Sequence, residues 1–104
     1  MKDENRGHVY TVKNEGEGSQ EIRFVRKGMM EPEGSTVPVL SVIEEGTTTE
    51  AVIEVLIDRL SFLDNQVPSD YNKKAIQGLT DARTALEERT ADREKREVEG
   101  TNQA

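Results

Sequence analysis

Several residue types that commonly build functional sites are rare or missing in this chain. It has no cysteine and a single histidine, His8, which excludes disulfides, thiolate metal sites and a histidine-based metal cage within one chain. No apolar run approaches the roughly 18 residues that a membrane-spanning helix needs. We therefore expect no metal, no cofactor and no membrane partner, and we interpret His8 as a structural or incidental residue.

Large apolar side chains are also scarce, and charge is abundant. Ile, Leu, Val and Phe together supply 23 of the 104 residues, whereas 34% of the residues are charged. This composition lies just above the level of about 20% large apolar residues below which charged chains tend to be disordered. One chain can build only a small core, so association with further copies of itself is a natural remedy. The net charge of −7 argues against DNA as a partner, because DNA rewards a basic surface.

The first half of the chain has the pattern of a small antiparallel sheet. Two segments of alternating or β-branched residues, 8–13 and 21–26, flank a Gly-rich turn and predict a hairpin. A third strand is predicted within 37–43, after a connection at 28–36. Because helical periodicity follows, we predict one α+β domain with a short N-terminal antiparallel sheet and a two-helix hairpin. Its parts are a flexible tail (1–7), a β-rich part (8–46), the helical hairpin (47–100) and a second flexible tail (101–104).

The second half predicts two helices that mediate oligomerisation. Thr47 and Glu50 have capping-box spacing before a helix over about 49–64, whose wide apolar arc must bury more than one side. A break follows at 64–70, where Ser69 or Asp70 is the next N-cap. A long helix runs over about 71–98, and Gly100 is its predicted stop.

Enzyme signatures are absent from the sequence. It contains no Gly-rich phosphate loop before a helix, no Gly-x-Ser-x-Gly and no His-Glu-x-x-His. Adjacent carboxylates such as Glu87 and Glu88 are expected on the solvated surface of so acidic a chain. We predict that the protein is not an enzyme and has no catalytic residues.

The long helix carries arginines on one face. Arg89, Arg93 and Arg96 have spacings of four and three, and like charges at that spacing repel each other. One interpretation is salt-bridge lacing, in which Asp92 pairs with Arg96 and Arg93 with Glu97. The other is an anion site, because guanidinium groups match phosphate oxygens in bidentate geometry.

Two aromatic residues flank the break between the helices. Phe62 and Tyr71 either cap the hairpin by hydrophobic contact or offer a platform on which a base stacks. Asn72 either caps the second helix or donates a hydrogen bond to a ligand. Asn72 and Arg89 are 17 residues apart, which is about 25 Å along one straight helix. A ligand of mononucleotide size reaches both only if two chains contribute, as in an antiparallel pairing of the long helices.

The second half resembles a known phage family. The residues that carry the resemblance are Glu54-Val55-Leu56-Ile57-Asp58-Arg59-Leu60, Asn72 with Ala75-Ile76, and Arg89-Thr90-x-Asp92-Arg93-x-x-Arg96-x-Val98-Glu99-Gly100-Thr101. Together they are similar to the Thoeris anti-defence sponge family, first type, over about residues 49–101. The first half matches only in placing strands before the helical hairpin.

The resemblance implies a function without catalysis. Members of the family sequester cyclic ADP-ribose isomers made by bacterial TIR-domain proteins in the host cytoplasm, and some hold cyclic di- or trinucleotides at separate sites. They form dimers or hexamers in which two subunits build each ligand site. By this resemblance Phe62 or Tyr71 stacks on the ligand, Asn72 contacts a ribose or base, and Arg89 and Arg93 bind the pyrophosphate. The ligand isomer, a second site and the choice between dimer and hexamer stay open, and a phage structural or assembly protein without a ligand is the alternative.

Overall fold

The computed structural model describes residues 6–34 and 36–101, with the backbone alone for residues 97–101. The chain divides into two compact units, Met1–Thr49 and Glu50–Ala104. Strands occupy the first unit and two helices follow, which confirms the α+β prediction. Most of the predicted tails, residues 1–5 and 102–104, lies outside the described residues, whereas Thr101 is the last residue of a helix.

The first hairpin consists of β1 (Val9–Lys13) and β2 (Ser19–Arg23), paired antiparallel with Tyr10 opposite Ile22. Its turn closes through a hydrogen bond from Asn14 N to Gly18 O of 3.0 Å. Gly18 has a φ of 86°, a left-handed conformation that glycine adopts without strain. Alternation along the strands places Tyr10, Val12, Ile22 and Phe24 on one face.

A second two-stranded sheet joins the predicted third strand to a segment that the sequence predicts to be mostly a connection. Strand β3 (Arg26–Met30) pairs antiparallel with β4 (Val39–Glu44), with a register shift between Arg26 and Lys27. The prediction of one sheet and of a connection starting at residue 28 was therefore wrong. Gly28, Met29 and Met30 are not strong strand formers, so pairing with β4 rather than local propensity stabilises their strand conformation.

The two sheets meet at an isolated bridge. Thr47 N donates to Arg23 O at 2.8 Å, and Val25 N donates to Thr47 O at 2.9 Å. Because its backbone is used there, Thr47 is not the N-cap of the first helix, which begins two residues later at Thr49. The predicted Thr47–Glu50 capping box is therefore wrong in register.

The second unit is a helical hairpin. Helix α1 (Thr49–Gln66) and helix α2 (Asp70–Thr101) are joined by residues 67–69. Ser69 caps α2, because its hydroxyl oxygen accepts hydrogen bonds from Tyr71 N at 3.1 Å and Asn72 N at 3.4 Å. The helix continues through Gly100 to Thr101, so the predicted stop at Gly100 was wrong.

Burial within the described part of one chain is slight. Ile53 of α1, 8% exposed, is the one apolar side chain there that is buried. Both faces of the β3–β4 ribbon expose apolar groups, since Met29 lies opposite Leu40 and Met30 opposite Val39 and all four are at least 43% exposed. Val55, Leu56 and Phe62 of α1 are also exposed. The core is as small as the composition predicts.

Candidate ligand-binding site

The predicted site residues fall at two places in the helical hairpin. Phe62 lies near the end of α1, and Tyr71 and Asn72 lie in the first turn of α2. Arg89 and Arg93 lie toward the other end of α2. Because α2 is one unbroken helix, Asn72 and Arg89 are about 25 Å apart along it. A single chain therefore keeps the aromatic and amide groups away from the guanidinium groups.

Asp64 organises the turn between the helices. Its carboxylate accepts a hydrogen bond from Ser69 N at 2.8 Å and pairs with Lys73 Nζ at 3.0 Å. The Ser69 N–H, then Lys73, and least of all the Asn72 amide hold the pKa of Asp64 below its usual value, against the opposing effect of burial. Sequence reasoning missed Asp64, although a carboxylate five residues before an N-cap serine is a signal that points to it.

Asn72 already has a place in this turn. Its side chain is half-buried, its backbone N–H donates to Ser69 Oγ at 3.4 Å, and its amide contributes slightly to the lowered pKa of Asp64. The interpretation that Asn72 caps α2 is wrong, because Ser69 is the cap and Asn72 lies inside the first turn of the helix. A ligand contact by Asn72 stays a prediction.

Tyr71 shares an exposed face with the arginines. Starting from Tyr71, steps of four and three residues reach positions that lie above one another on one side of a helix. We call this face the α2 stripe, and all its members are exposed: Tyr71, Ala75, Gly78, Ala82, Ala85 and Arg89. Tyr71 is 87% exposed, the most of any large apolar side chain described. The stripe thus joins an aromatic end to a cationic end through small residues only.

Half-buried residues follow a different line along α2. Asn72, Ile76, Leu79, Arg83, Leu86 and Thr90 have the same spacing, one residue along from the α2 stripe. Arg83 Nη1 lies 3.9 Å from the Glu54 carboxylate of α1, so this second line faces α1. Ala75 and Ala82 are spaced three or four residues from Ile76, Leu79 and Leu86, yet the two alanines are exposed and the three larger residues are half-buried. Their small size is the signal that separates them.

The arginines near the cationic end of the α2 stripe bear on the two interpretations of the sequence, salt-bridge lacing and an anion site. Arg96 forms the predicted ion pair with Asp92, at 2.7 Å. The predicted partner of Arg93, Glu97, has a side chain outside the described residues. Among the side chains that are described, no carboxylate lies within ion-pair distance of Arg89 or Arg93. As far as the described side chains show, the Arg89 guanidinium group is open to an anion.

The side of the hairpin where α1 and α2 face each other is acidic. Glu50, Glu54, Glu87 and Glu94, with Thr90 and Ala91, line a concave surface of about 440 Å³. Arg83 offsets part of this charge through Glu54 and through Glu87 at 3.4 Å. An anion approaching α2 is therefore repelled from this side. No group of three or more potential metal ligands occurs in the described part of the chain.

The first unit contains a separate apolar concavity. Tyr10 and Phe24 meet edge to face with ring centroids 5.7 Å apart, and with Gly7, Val12, Ile22 and Thr49 they line about 400 Å³. The sequence indicated no site here. The surface offers apolar contact but no charged group, so it is not suited to a phosphate.

Comparison with known protein families, with curated proteins and with solved structures found no match to this chain. Within the described residues, neither helix is long and apolar enough to cross a membrane.

Proposed function

We propose that the protein is a phage anti-defence sponge, which binds a cyclic ADP-ribose isomer without cleaving it and so keeps the signal from its effector. It acts in the cytoplasm of the bacterial host. The observation that carries the proposal is the α2 stripe, on which an exposed tyrosine and an arginine without a described carboxylate partner share one face. Stacking suits the base of such a ligand, and guanidinium groups suit its pyrophosphate.

The geometry requires two copies of the chain for one site. Tyr71 and Arg89 are 18 residues apart on one helix, about 27 Å, which exceeds the reach of a small dinucleotide-like ring. The hairpin end of one copy and the α2 C-terminal part of another supply the full set: Phe62 or Tyr71, Asn72, Arg89 and Arg93. Sequestration needs affinity and stoichiometry only, so it requires no catalytic group.

The acidic surface between α1 and α2 supports selection for a compact ligand. With a net charge of −7, the protein repels long polyanions, whereas Arg89 and Arg93 attract a small anion locally. The family resemblance also implies a further site that binds cyclic di- or trinucleotides. We include this site in the proposal without assigning residues to it.

Capture followed by release tests the proposal. The protein is incubated with the cyclic ADP-ribose isomers made by TIR-domain proteins, freed of unbound ligand and heat-denatured, and the supernatant is analysed by mass spectrometry. Recovery of intact ligand at up to one molecule per chain is expected. A chemically changed ligand would indicate a hydrolase instead, and recovery of no ligand would overturn the proposal.

The alternative is a phage structural or assembly protein. Exposed apolar residues on both faces of the β3–β4 ribbon favour it, because such a surface is usually covered by another protein chain. Under this alternative the same capture experiment yields an oligomer but no ligand.

A further inference from the structure

Strand β4 has an open edge without the protection that sheet edges usually have. Within the described residues, β3 and β4 form a sheet of two strands, so no strand lies on the second side of β4. Residues 39–43 carry no charge, and the carboxylate of Glu44 at the end of β4 pairs with Arg26 at 3.4 Å. Edge strands without charged side chains recruit further strands through their unpaired N–H and C=O groups. The edge of β4 is therefore suited to pairing with another strand.

The other strand of the ribbon has a different character. Strand β3 carries Arg26 and Lys27, and Lys27 is exposed. Charged side chains, lysine above all, keep the edges of natural sheets from pairing with other chains. The difference between the two strands indicates β4, and not β3, as the pairing edge.

Apolar groups are exposed on both faces of β4, which favours contact at its edge. Leu40 and Val42, 61% and 46% exposed, lie on one face, and alternation places Val39 and Ile43 on the other, at 43% and 51%. A partner packed against one face leaves the other face in water. A strand added at the edge brings apolar neighbours to both faces at once, and it strengthens a two-stranded ribbon that is marginal by itself.

The sequence of β4 is complementary to itself in the antiparallel direction. A two-fold axis perpendicular to the sheet at Ser41 places Ser41 opposite its own copy. On one face Leu40 then lies opposite Val42 of the second copy. On the other face Val39 lies opposite Ile43. Each apolar residue of β4 therefore has an apolar cross-strand neighbour on its own face, the contact that stabilises sheets.

Other two-fold registers of β4 are poorer. A shift by one pair in one direction places Leu40 opposite Glu44, which sets a carboxylate against an apolar residue. The opposite shift places Val42 opposite Pro38, which has no N–H to donate. The side-chain pattern therefore specifies the register centred on Ser41.

We propose that β4 pairs antiparallel with β4 of a second copy about a two-fold axis at Ser41. The product is a four-stranded sheet in the order β3–β4–β4–β3. Backbone hydrogen bonds give affinity, and the side-chain pairs on the two faces fix the register. The self-complementary pattern selects a second copy over a different protein. This interface lies in the first unit and uses none of the residues assigned to the ligand, so it does not rest on the proposed function.

Amide hydrogen exchange of the full-length protein tests the pairing. In a ribbon of two strands, alternate amides of β4 point away from β3 and exchange freely, whereas in the four-stranded sheet the amides on both sides are protected. Residue-resolved exchange by NMR should show protection of consecutive amides within 39–43 that increases with protein concentration. Protection of alternate amides only, at every concentration, would overturn the inference.

Disulfide cross-linking tests the register and the edge geometry. The chain has no cysteine of its own, and directly opposite Cβ atoms in a sheet lie about 4.5–5.5 Å apart, close to the range of a disulfide. A mixture of Leu40→Cys and Val42→Cys proteins should give heterodimers on oxidation, and so should Val39→Cys with Ile43→Cys. Cross-links from one face alone would show face-to-face packing and overturn the inference. Lys27→Cys, exposed on β3, is the control, and equal cross-linking by it would show random collision instead.

A charge exchange at Ser41 tests the two-fold axis. Ser41→Lys places two lysines opposite each other, so the dissociation constant, taken from the concentration dependence of exchange, should rise roughly 2- to 5-fold. Ser41→Glu should act likewise, and an equal mixture of the two variants should recover the affinity. Thr11→Lys adds the same charge at an exposed position of β1 and should leave the constant unchanged. A mixture that associates no better than either variant would remove Ser41 from the axis.

The remaining outcomes separate this inference from its alternatives. Protection of both sides of β4 only after a different protein is added would make β4 a docking edge for that protein and overturn the self-pairing. If ligand is captured while alternate β4 amides exchange freely, the inference fails and the proposed function stands. If β4 pairs as described and no ligand is captured, the inference stands and the proposed function fails.

Discussion

Arg89 is the residue on which the proposed site depends most. It is exposed at the cationic end of the α2 stripe, and no described carboxylate pairs with it. Arg89→Ala should abolish ligand capture and leave the oligomer intact, because a charge-assisted hydrogen bond contributes about 1.5–3 kcal/mol, or at least about tenfold in affinity. Titration calorimetry with the cyclic ADP-ribose isomer measures the loss.

Lys95→Ala provides the matched control for Arg89→Ala. It removes one exposed positive charge from the other side of α2, so it reports the effect of net charge alone. Capture by Arg89→Ala at wild-type affinity would remove Arg89 from the site.

Asp64 makes the helical hairpin sensitive to acid. Its pKa is lowered by Ser69 N–H and Lys73, so in the folded state it lies below the value of about 3.9 expected in the unfolded chain. The stabilising contribution is therefore complete above that unfolded value and is lost as pH falls through the folded pKa. Asp64→Asn should lower the melting temperature at pH 7 and flatten its dependence on pH below about 4. A variant with the same acid profile as the wild type would contradict this role.

At the scale of elements, the length of α2 determines which of the predicted ligand residues one chain can bring together. The helix has 32 residues whereas α1 has 18, and it carries Arg89 and Arg93 in its second half. A rigid helix keeps Tyr71 and Arg89 apart within a chain and holds them at a fixed spacing for a partner. Groups held in place before binding lose less conformational freedom when the ligand arrives.

The bridge between the two small sheets requires a glycine at position 46. A Cβ on Gly46 would lie against the carbonyl carbon of Phe24, 2.6 Å from Val25 N and 2.7 Å from Arg23 O. These are backbone atoms that cannot rotate away, so Gly46→Ala should destabilise the first unit by about 1–3 kcal/mol. Urea denaturation followed by circular dichroism measures the change.

Gly16→Ala is the control for the Gly46 variant. A Cβ at Gly16 would meet no atom within 4 Å, and its φ is not in the left-handed region. Equal stability of the two variants would show that the bridge does not constrain Gly46.

At the scale of the whole molecule, the strands should matter more for assembly than for ligand choice. The residues that we assign to the ligand lie in the helical hairpin, whereas the most extensive exposed apolar surface of the first unit belongs to the β3–β4 ribbon. Removing the strands before residue 46 should therefore weaken folding or assembly and leave the order of ligand affinities unchanged. Light scattering and competition binding check the two parts, and a stable, fully oligomeric truncation would contradict the prediction.

The sequence predicted the elements whose local pattern is strong. The alternating segments around the first turn, the apolar run of α1 and the N-cap Ser69 all lie where the pattern placed them, within a few residues. The β3 strand was missed because Gly28, Met29 and Met30 have weak strand propensity and depend on β4 for pairing. Thr47 was wrongly predicted to cap α1, because the sequence pattern of a capping box does not reveal that the Thr47 backbone is hydrogen-bonded to Arg23 and Val25.

By itself the sequence determined the fold class and the small core, because composition and periodicity are local properties. The candidate ligand residues came from the family resemblance together with their spacing. The sequence also determined the distance between Asn72 and Arg89, since the rise of a helix is constant. Only the tertiary structure decided that Asn72 is half-buried and that Ala75 and Ala82 are exposed. Both depend on which side of α2 faces α1, and packing between the helices sets that orientation.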